Sequence, residues 1–502
     1  MKVYISDDSS AVAAGANRVT AAFAKQKDVE VIRTSSRGAF FLEPLVEIDT
    51  PAGRVGYANV HPRDVPSILV GAPFQARPNE RRGQKAAPIK PTAVSKIPFL
   101  ANQTRFTFAN AGVTEPLSVN QYGYRALDKA RGLDPQKILD EVKKAQLRGR
   151  GGAAFPAGVK WQTTKDCKDT PKYVVANADE GDPGTYSDRM IMEGDPHRLL
   201  EGMAICGHAV GAKKGYIYAR SEYPAGIKKI RAAIARATEA GVLGKETFDI
   251  EVFVGAGAYI CGEETALLES LEGKRGMVRY KPPFPAINGL WQKPTVINNV
   301  VTFATVPDII LRGGDWHASL GTATSKGTIP LQLAGQIRNG GLVEVPFGVT
   351  LEEVIYDFGG GLPRGSRFKA VQVGGPLGSI FPEKLLKTRI CFDDFIKAGG
   401  ILGHGGIVVY DHETDMVALS RHFAEFCAAE SCGKCTPCRV GSTRAKEILD
   451  KILRGDGSED DLVLLSDLSE TMKLGSLCAL GGLAPMPILT SIQYFGKEFR
   501  RR

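Results

Sequence analysis

Residues 225–255 read AGIKKIRAAIARATEAGVLGKETFDIEVFVG, a helix pattern followed closely by a strand pattern. The first part repeats its apolar residues every three or four positions, as an amphipathic helix does, and the second part is a short, largely apolar run that ends in glycine. The same alternation extends from about residue 106 to residue 329, where KYVVANA (172–178) is another strand pattern. Such alternation is typical of a layered α/β domain.

Other patterns flank this central region. The N-terminal residues give a strand, a helix from about Ala11 to Gln26, a second strand and the hairpin pattern LVEIDT-PAG-RVGYANV, which indicate a small α/β unit. A stretch centred on RPNERRGQKAAPIKP is typical of a linker. Beyond the central region, a capping box at Thr350 and Glu353 follows a hairpin pattern, and helical periodicity continues to the end. We therefore expect an α/β multidomain chain with an N-terminal unit (1–72), a linker or arm (73–105), a central domain (106–324), a β-grasp domain (325–412) and a helical bundle (413–502).

Composition places the chain among ordinary globular proteins. Of its 502 residues, 43% are hydrophobic and 24% are charged, and this length suggests three or four domains. The net charge of +9 is spread along the chain without a basic run that interleaves aromatic residues, so we expect no nucleic-acid partner. The N-terminus MKVYISDD lacks the apolar segment of a signal peptide, and the long uncharged stretch 474–496 contains Pro485 and Pro487. We therefore expect a cytoplasmic protein without a membrane span.

Three of the nine cysteines stand close together in ESCGKCTPCRV, residues 430–440. Cys432, Cys435 and Cys438 can wrap one face of a cubane cluster, and Cys478 can supply the remaining ligand. This spacing indicates a [4Fe-4S] site, with structural zinc as the alternative, although zinc usually takes two separated pairs. The remaining cysteines are isolated, and we expect them, like the lone His422, to have structural roles; they are Cys167, Cys206, Cys261, Cys391 and Cys427.

A glycine-rich segment, LRGRGGAAFPAGVKW (147–161), has little side chain over several residues. Gly149, Gly151 and Ala154 match the spacing of a dinucleotide-binding fingerprint, but a helix pattern rather than a strand pattern precedes them. The standard Rossmann interpretation therefore does not fit. Free backbone N–H groups and flanking cations indicate a phosphate cradle, and a tight turn between two helices is the alternative. The flanking cations are Arg148, Arg150 and Lys160.

A second glycine-containing loop, GAGAYICGEE (255–264), stands between a strand pattern and a helix pattern. Its first two glycines match the start of the fingerprint, but Ile260 occupies the sixth position. Glu263 and Glu264 at the helix start either complement the helix dipole or hold a ribose hydroxyl and repel a 2′-phosphate. The second role would select NAD over NADP.

An acidic loop, NADEGDPGTYSDR (177–189), follows another strand pattern. Asn177, Asp179, Glu180 and Asp182 crowd polar groups into a segment bent by glycine and proline. A solvated surface turn is the plain alternative. Ca²⁺ is a further one, because the loop offers hard oxygen ligands, although the spacing of an EF-hand is absent from it.

These segments, together with KPPFPAINGLW, INNV and SLCALGG, closely resemble the flavin-bearing NADH-oxidising subunit of respiratory complex I and its relatives in soluble NAD-linked hydrogenases and formate dehydrogenases. The resemblance covers about residues 110–500, with the motifs in the same order. It implies a Rossmann-like FMN domain, a β-grasp domain and a helical bundle that carries a [4Fe-4S] cluster. FMN, the cluster and NAD are the implied cofactors.

The resemblance also implies roles for individual residues. NAD would lie over the flavin between Phe155 and Phe284, with Lys281 and Glu264 at its polar edge. Asp182, where complex I has a glutamate, and Glu180 are the expected catalytic carboxylates, and Thr163 stands where complex I has an aromatic residue. Cluster ligands would be Cys432, Cys435, Cys438 and Cys478. The residues expected to hold FMN are Gly149, Arg150, Gly151, Gly152, Lys160, Asn177, Asp179, Glu180, Tyr259, Gly262, Glu263, Asn298, Asn299 and Thr302.

The N-terminal unit resembles the thioredoxin-like [2Fe-2S] ferredoxin that forms a separate subunit in complex I. Ser36 and Phe40 stand where cluster cysteines are expected, and no cysteine precedes Cys167, so we expect a cluster-free fold kept for docking. With this extension the chain looks most like the β (diaphorase) subunits of cytoplasmic, molybdenum-containing, NAD-dependent formate dehydrogenases. Such a subunit passes electrons from its [4Fe-4S] cluster through FMN to NAD.

The partners implied by that resemblance are a molybdenum- and iron-sulfur-containing formate dehydrogenase α subunit and a small thioredoxin-like [2Fe-2S] γ subunit. The alternatives are the equivalent subunit of complex I or of a bidirectional NAD-linked hydrogenase. A catalytically idle scaffold with a structural zinc is an alternative of a different class.

Overall fold

The structure is a computed structural model that describes residues 1–51, 53–70 and 91–500. It contains a mixed N-terminal sheet, a parallel central sheet, a second mixed sheet and a C-terminal part built of helices. The expectation of a mixed α/β chain with a helical C-terminal part is confirmed. Within the described ranges, no helix combines the length and the apolar character that crossing a bilayer requires.

The N-terminal unit is a sheet covered by short helices. Its expected single helix is interrupted at Gly15, which takes a left-handed conformation (φ 108°) and donates its N–H to carbonyls of the preceding turn. Two helices therefore replace one. The strands are β1 (Lys2–Ser6), β2 (Glu30–Thr34), β3 (Val46–Thr50), β4 (Gly53–Tyr57) and β5 (Thr92–Ala93), in the order β2-β1-β3-β4-β5, and the helices are α1 (Ser9–Ala14), α2 (Ala16–Phe23) and α3 (Val65–Leu69).

The expected linker 73–105 differs from the structure where it is described. Residues 73–90 lie outside the described residues. From Pro91 onward the chain has regular structure: β5 pairs antiparallel with β4, and a helical turn, α4 (Pro98–Ala101), follows. Phe99 is buried in the apolar core of the second mixed sheet, and this burial explains why the segment is ordered.

The central sheet is parallel and has the order β8-β7-β6-β9, where the strands are β6 (Tyr173–Ala178), β7 (Lys214–Arg220), β8 (Asp249–Gly255) and β9 (Thr295–Asn299). The chain therefore moves outward from β6 on one side and later returns to its other side. Such a reversal leaves a crevice at the carboxyl ends of the two strands that flank it, here β6 and β9.

Helices surround this sheet. Gly202 lets two of them, α10 and α13, approach closely, because a Cβ there would lie 2.0 Å from the carbonyl oxygen of Phe303. The helices of this region are α5 (Val119–Tyr122), α6 (Arg125–Arg131), α7 (Pro135–Lys144), α8 (Ala157–Asp166), α9 (Ser187–Gly194), α10 (Pro196–Val210), α11 (Pro224–Glu239), α12 (Glu264–Leu271), α13 (Val300–Arg312) and α14 (Gly314–Ala318).

The second mixed sheet has the order β11-β10-β14-β12-β13, with β10 and β14 parallel and the other neighbours antiparallel. The expected capping box is present, since the Thr350 hydroxyl and the Glu353 carboxylate each bind the other's backbone N–H. The strands are β10 (Thr328–Gly335), β11 (Gly341–Pro346), β12 (Phe368–Val373), β13 (Ser379–Pro382) and β14 (Gly406–Asp411), and the helices are α15 (Leu351–Glu353) and α16 (Phe392–Lys397).

The C-terminal part packs helix against helix. Its apolar core joins residues of α17, α18, α19 and α21 with Ile380 of β13 and Ala370 of β12, so the bundle rests on the second mixed sheet. The helices are α17 (Met416–Glu430), α18 (Thr436–Leu453), α19 (Glu459–Gly475), α20 (Ala479–Leu483) and α21 (Pro485–Arg500).

Candidate flavin and iron-sulfur site

Polar residues from two strands meet at the crevice of the central sheet. Asp179 and Glu180 directly follow β6, and Asn298 and Asn299 end β9. The two strands are paired in parallel, with Asn177 opposite Asn299. The crevice is therefore lined by side chains that the sequence analysis assigned to FMN.

The glycine-rich loop lies against the end of β9. It connects α7 to α8, so a helix does precede it, and Gly149 donates its N–H to the carbonyl of Phe155 at 2.9 Å. A Cβ on Gly151 would lie 2.8 Å from the Cβ of Asn299, and Gly152 has a φ of 107°. Only glycine fits both positions without a shift of the backbone. The loop thus presents bare backbone to the crevice.

Two of the expected cations of this loop bind backbone carbonyl groups. The Arg150 guanidinium is buried and donates to the carbonyls of Arg148 at 2.9 Å and Lys326 at 2.8 Å, while its backbone N–H donates to the Thr302 hydroxyl at 2.9 Å. Burial lowers the pKa of Arg150 to about 9. Arg148 likewise donates to the carbonyl of Ala154 at 2.9 Å. Both guanidiniums hold the loop together from within, because its carbonyl groups need donors.

Lys160 points toward the second loop. Its ammonium lies 3.0 Å from Glu264 and 2.8 Å from the carbonyl of Ile297 on β9. Glu263 instead accepts the N–H groups of Thr265 at 2.8 Å and Ala266 at 3.1 Å. Glu263 is therefore the residue that caps α12, and Glu264 is held by a lysine.

The acidic loop divides its carboxylates among different partners. Glu180 accepts the N–H groups of Asp188 and Arg189, each at 2.9 Å, and so caps α9. Asp182 accepts the hydroxyl of Tyr259 at 2.7 Å. Glu180 and Asp182 therefore serve separate donors within the loop.

Burial perturbs the carboxyl groups of Asp179, Glu180 and Asp182. It raises the pKa of Asp179 to about 7 and that of Glu180 to about 7, where Asp188 adds to the effect. Burial also raises the pKa of Asp182, although the hydrogen bond from Tyr259 acts to lower it. Perturbed carboxyl groups that line a crevice are typical of a functional site.

The second loop closes onto the acidic loop. The Asn177 amide donates to the carbonyl of Gly262 at 2.7 Å. A Cβ on Gly181 would lie 2.6 Å from the ring of Tyr259. Beyond this contact, the acidic loop, Tyr259 and Glu430 line a cavity of about 340 Å³. Two expected ring-stacking residues, Phe155 and Phe284, are 52% and 56% exposed, as an aromatic surface for a ligand requires.

The four clustered cysteines share one apolar environment. Cys435 caps α18, Cys438 lies in its first turn and Cys478 caps α20, and all of these pack with Cys432 in the same core. Burial raises the pKa of Cys478 to about 11, although hydrogen bonds from N–H groups of the following turn act to lower it. Two cations near the cysteines bind backbone carbonyl groups: Lys434 donates to the carbonyl of Val278 at 2.6 Å and Arg439 to that of Gly433 at 2.9 Å.

Two protein-family models match the chain in these regions. The Nuo51 FMN-binding domain matches residues 142–308, and the iron-sulfur binding region of NADH-ubiquinone oxidoreductase-F matches residues 418–502. The HndC component of the NADP-reducing hydrogenase of Solidesulfovibrio fructosivorans is 49% identical over 79% of this chain and 83% of its own length. The F component of the NADH-quinone oxidoreductase of Escherichia coli (strain K12) is 44% identical over 77% of this chain and 89% of its own length.

The chain belongs to the 51 kDa flavoprotein family of complex I. It is therefore a subunit of an FMN- and iron-sulfur-containing NAD(H) oxidoreductase, with FMN, a [4Fe-4S] cluster and NAD as cofactors. The match to the iron-sulfur region supports a cluster rather than structural zinc at these cysteines. Among solved structures, a chain of the NAD⁺-reducing [NiFe]-hydrogenase in its H₂-reduced state superimposes with a TM-score of 0.72 at 32% identity, covering 99% of this chain and 84% of that one.

The residues present fit a flavin of this family. Asp179 Oδ2 and Asn298 Oδ1 are buried polar atoms without a hydrogen-bond partner in the described structure, and both lie at the crevice. Buried acceptors of this kind are costly unless a ligand satisfies them. The bare glycine loop and Lys160 suit a phosphate. For the cluster, four thiols in one half-buried apolar environment supply the full ligand number.

His404, Ser187 and Asp188 lie at this site but were not singled out from the sequence. His404 lies between β13 and β14, far along the chain, and contacts Ser187 and Asp188 at the start of α9. Asp188 stands within the quoted acidic motif, where it looks like one more surface carboxylate. No local signal marks His404, since only the pairing of β10 with β14 brings it here.

Proposed function

We propose that this chain is the diaphorase subunit of a soluble NAD-dependent formate dehydrogenase, passing electrons from its [4Fe-4S] cluster to NAD. Bound FMN would exchange hydride with the nicotinamide and single electrons with the cluster. The chain's own residues bind, orient and shield these groups. Gly149, Gly151, Gly152 and Lys160 would hold the flavin phosphate end, and the residues after β6 and β9 would hold its polar edge.

One contact carries the electron-transfer part of the proposal. Tyr259 donates its hydroxyl to Asp182 at 2.7 Å and its backbone N–H to Glu430 at 2.9 Å. Glu430 is two residues before Cys432, and the ring of Tyr259 packs 5.0 Å from that of Phe426 on the same helix. The flavin site and the cysteine site therefore share a wall, which supports direct electron transfer between them.

The two catalytic carboxylates would act differently. Asp182 faces the cavity with one oxygen held by Tyr259, so we assign it to the position of the nicotinamide. Glu180 is bound by two backbone N–H groups at the start of α9. Glu180 would fix the loop and accept a hydrogen bond from the cofactor, and it would not transfer a proton. Phe155, Phe284, Lys281 and Glu264 would contact NAD.

Formate as the electron source rests on the N-terminal unit. The first cysteine of the sequence is Cys167, so this unit contains none. A cluster-free thioredoxin-like fold in such a diaphorase would have this property. The parallel β1–β2 pair and the antiparallel β3–β4 pair support that fold. We also propose the Rossmann-like and β-grasp descriptions for the central parallel sheet and the second mixed sheet, with the expected boundaries at 106, 325 and 413.

A NAD-linked hydrogenase is the second candidate. The [NiFe]-hydrogenase chain covers 99% of this one, whereas HndC and the Escherichia coli relative cover 77% to 79% of it. The N-terminal unit is thus shared with a hydrogenase as well. For the formate assignment, the partners would be a molybdenum- and iron-sulfur-containing α subunit and a small [2Fe-2S] γ subunit, in the cytoplasm.

The test is to purify the tagged chain from its own cells under anaerobic conditions with the partners that stay bound. Formate-dependent reduction of NAD, molybdenum in the complex and a co-purifying large subunit are the expected results. Reduction of NAD that depends on hydrogen, together with nickel in the complex, would identify the parent enzyme as a hydrogenase and contradict the formate assignment. Membrane subunits that oxidise NADH with a quinone would replace it by complex I.

A further inference from the structure

His404 is a buried histidine at the junction of the second mixed sheet and the flavin crevice. It is 6% exposed, and its backbone carbonyl accepts the amide of Gln332 on β10 at 2.9 Å. Its Nε2 lies 3.4 Å from Asp188 Oδ1 and 3.2 Å from the Ser187 hydroxyl. The histidine therefore reaches from one domain-sized unit onto the first turn of α9.

The histidine completes a compact charged group. Polar atoms of Glu180, Asp188 and His404 lie within 4.8 Å of one another, and all three residues are buried; we name them the buried triad. Two carboxylates so close and so far from water are costly unless a cation neutralises them. Within the described residues, the imidazole is the basic member of this group.

The surroundings favour the charged imidazole. Burial alone would lower the pKa of His404, but Asp188, Glu180 and Asp182 face it and raise its pKa to about 9. Gln332 on β10, which also touches the histidine, is neutral. At neutral pH the buried triad therefore contains an imidazolium.

The triad is connected to the proposed FMN contacts through Asp188. Its second oxygen, Oδ2, accepts the Asn299 amide at 2.7 Å, and its backbone N–H donates to Glu180 at 2.9 Å. Asn299 in turn supports Gly151 of the glycine loop, whose added Cβ would lie 2.8 Å from the Asn299 Cβ. The turn before His404 also touches this loop, since a Cβ on Gly152 would lie 3.6 Å from the backbone of Gly403.

We infer that His404 is a positioning residue for FMN: its imidazolium holds Asp188 and Glu180, and through them it fixes Asn299 and the glycine loop. The inference rests on the proposed FMN contacts of Asn299 and Glu180. It couples the packing of the second mixed sheet to flavin binding. Without the cation, the two carboxylates repel each other, and Asn299 loses its fixed acceptor.

The test is the affinity of cofactor-depleted full-length protein for FMN, read from quenching of flavin fluorescence at pH 6 and pH 8.5. His404→Gln should weaken binding about tenfold or more at pH 8.5, where about 1.4 kcal/mol corresponds to tenfold. The loss should be smaller at pH 6, because protonation of Glu180, whose pKa is raised to about 7, removes part of the repulsion.

His197→Gln is the matched control. His197 is also buried, but its Nδ1 lies 2.7 Å from the hydroxyl of Tyr124, and burial lowers its pKa to about 4, so it is a neutral histidine. Its replacement should leave the pH dependence of FMN binding unchanged. A merely structural role of His404 would make the two variants behave alike.

A double variant guards against misfolding and separates charge from packing. Asp188→Asn with His404→Gln removes one charge of each sign, and the amide carbonyl introduced at position 188 can still accept the Asn299 amide. The double variant should bind FMN more tightly than His404→Gln at pH 8.5 and with little pH dependence. Equal binding by wild type and His404→Gln, or no recovery in the double variant, would overturn the inference. Wild-type protein that binds no FMN would overturn the proposed cofactor contacts together with it.

Discussion

The Tyr259 hydroxyl donates to Asp182 Oδ1 at 2.7 Å, across the cavity between the acidic loop and the helix that leads to the cluster cysteines. Burial raises the pKa of the Asp182 carboxyl group, whereas this hydrogen bond and the charge of His404 lower it. The bond therefore favours the charged form of Asp182.

Tyr259→Phe should therefore move the acidic limb of the NADH-oxidation profile to higher pH. Loss of a hydrogen bond to the charged form raises the Asp182 pKa further, because burial already raises it. The rate with an artificial acceptor, measured from pH 5 to pH 9, gives the shift. Tyr356→Phe, at a 40% exposed tyrosine in the helical segment Val354–Phe358, is the control and should leave the profile in place. An unshifted profile in Tyr259→Phe would mean that Asp182 does not titrate during turnover.

Cys435→Ala should separate the two halves of the reaction. NADH oxidation with an artificial acceptor that takes electrons from the flavin should persist, whereas transfer to the partner subunit should stop, because the cluster loses a ligand. Iron content and the electron paramagnetic resonance signal of the cluster give a second readout. Cys206→Ala, at a fully buried thiol of the central core, should keep both activities and the iron. Unchanged partner transfer in Cys435→Ala would remove the cluster from the electron path.

Local sequence patterns predicted the parts of the site that are local in the chain. Periodicity and turn residues predicted two strand-loop-helix units. One contains the acidic loop with Asp179, and the other contains the glycine loop with Tyr259. The cysteine spacing led to the correct cofactor. These features need few long-range contacts, because their residues follow one another closely in the chain; Cys478, 40 residues after Cys438, is the exception.

Features that depend on packing between distant segments were not predictable in this way. The carbonyl of Lys326, 176 residues away from Arg150, accepts its guanidinium. Phe99 looked like part of a linker and instead enters the core of the second mixed sheet. His404 joins Asp188 only after β10 and β14 have paired. In each case a buried partner outside the local window decides the outcome.

Glu264→Gln should relax the preference for NAD over NADP. Glu264 is held 3.0 Å from Lys160, while Glu263 caps the helix, so Glu264 is the carboxylate available to repel a 2′-phosphate. The ratio of kcat/KM for the two nucleotides should move toward NADP by about tenfold, which corresponds to about 1.4 kcal/mol. Glu269→Gln, on the same helix but paired with Arg279, is the control. The same selectivity in both variants would reject the assignment.

Asp179→Asn should make the cofactor-free protein more stable at alkaline pH. Burial raises the Asp179 pKa from 3.8 to about 7, so the folded protein holds a proton that the unfolded chain releases. The resulting stability is complete below pH 3.8 and is lost as the pH rises through about 7. Asparagine carries no such proton, so the variant avoids this loss.

At pH 8 the gain in the free energy of unfolding should therefore reach up to about 4 kcal/mol, at roughly 1.4 kcal/mol per pKa unit, and it should vanish near pH 4. Chemical denaturation of cofactor-free protein at both pH values measures it. Glu470→Gln, at an exposed carboxylate of α19, should show no comparable difference. FMN binding should weaken in Asp179→Asn even as stability rises, because Asp179 Oδ2 is the buried acceptor that the flavin would satisfy. Equal stability of wild type and variant at pH 8 would mean that Asp179 is ionised at no cost in the folded protein.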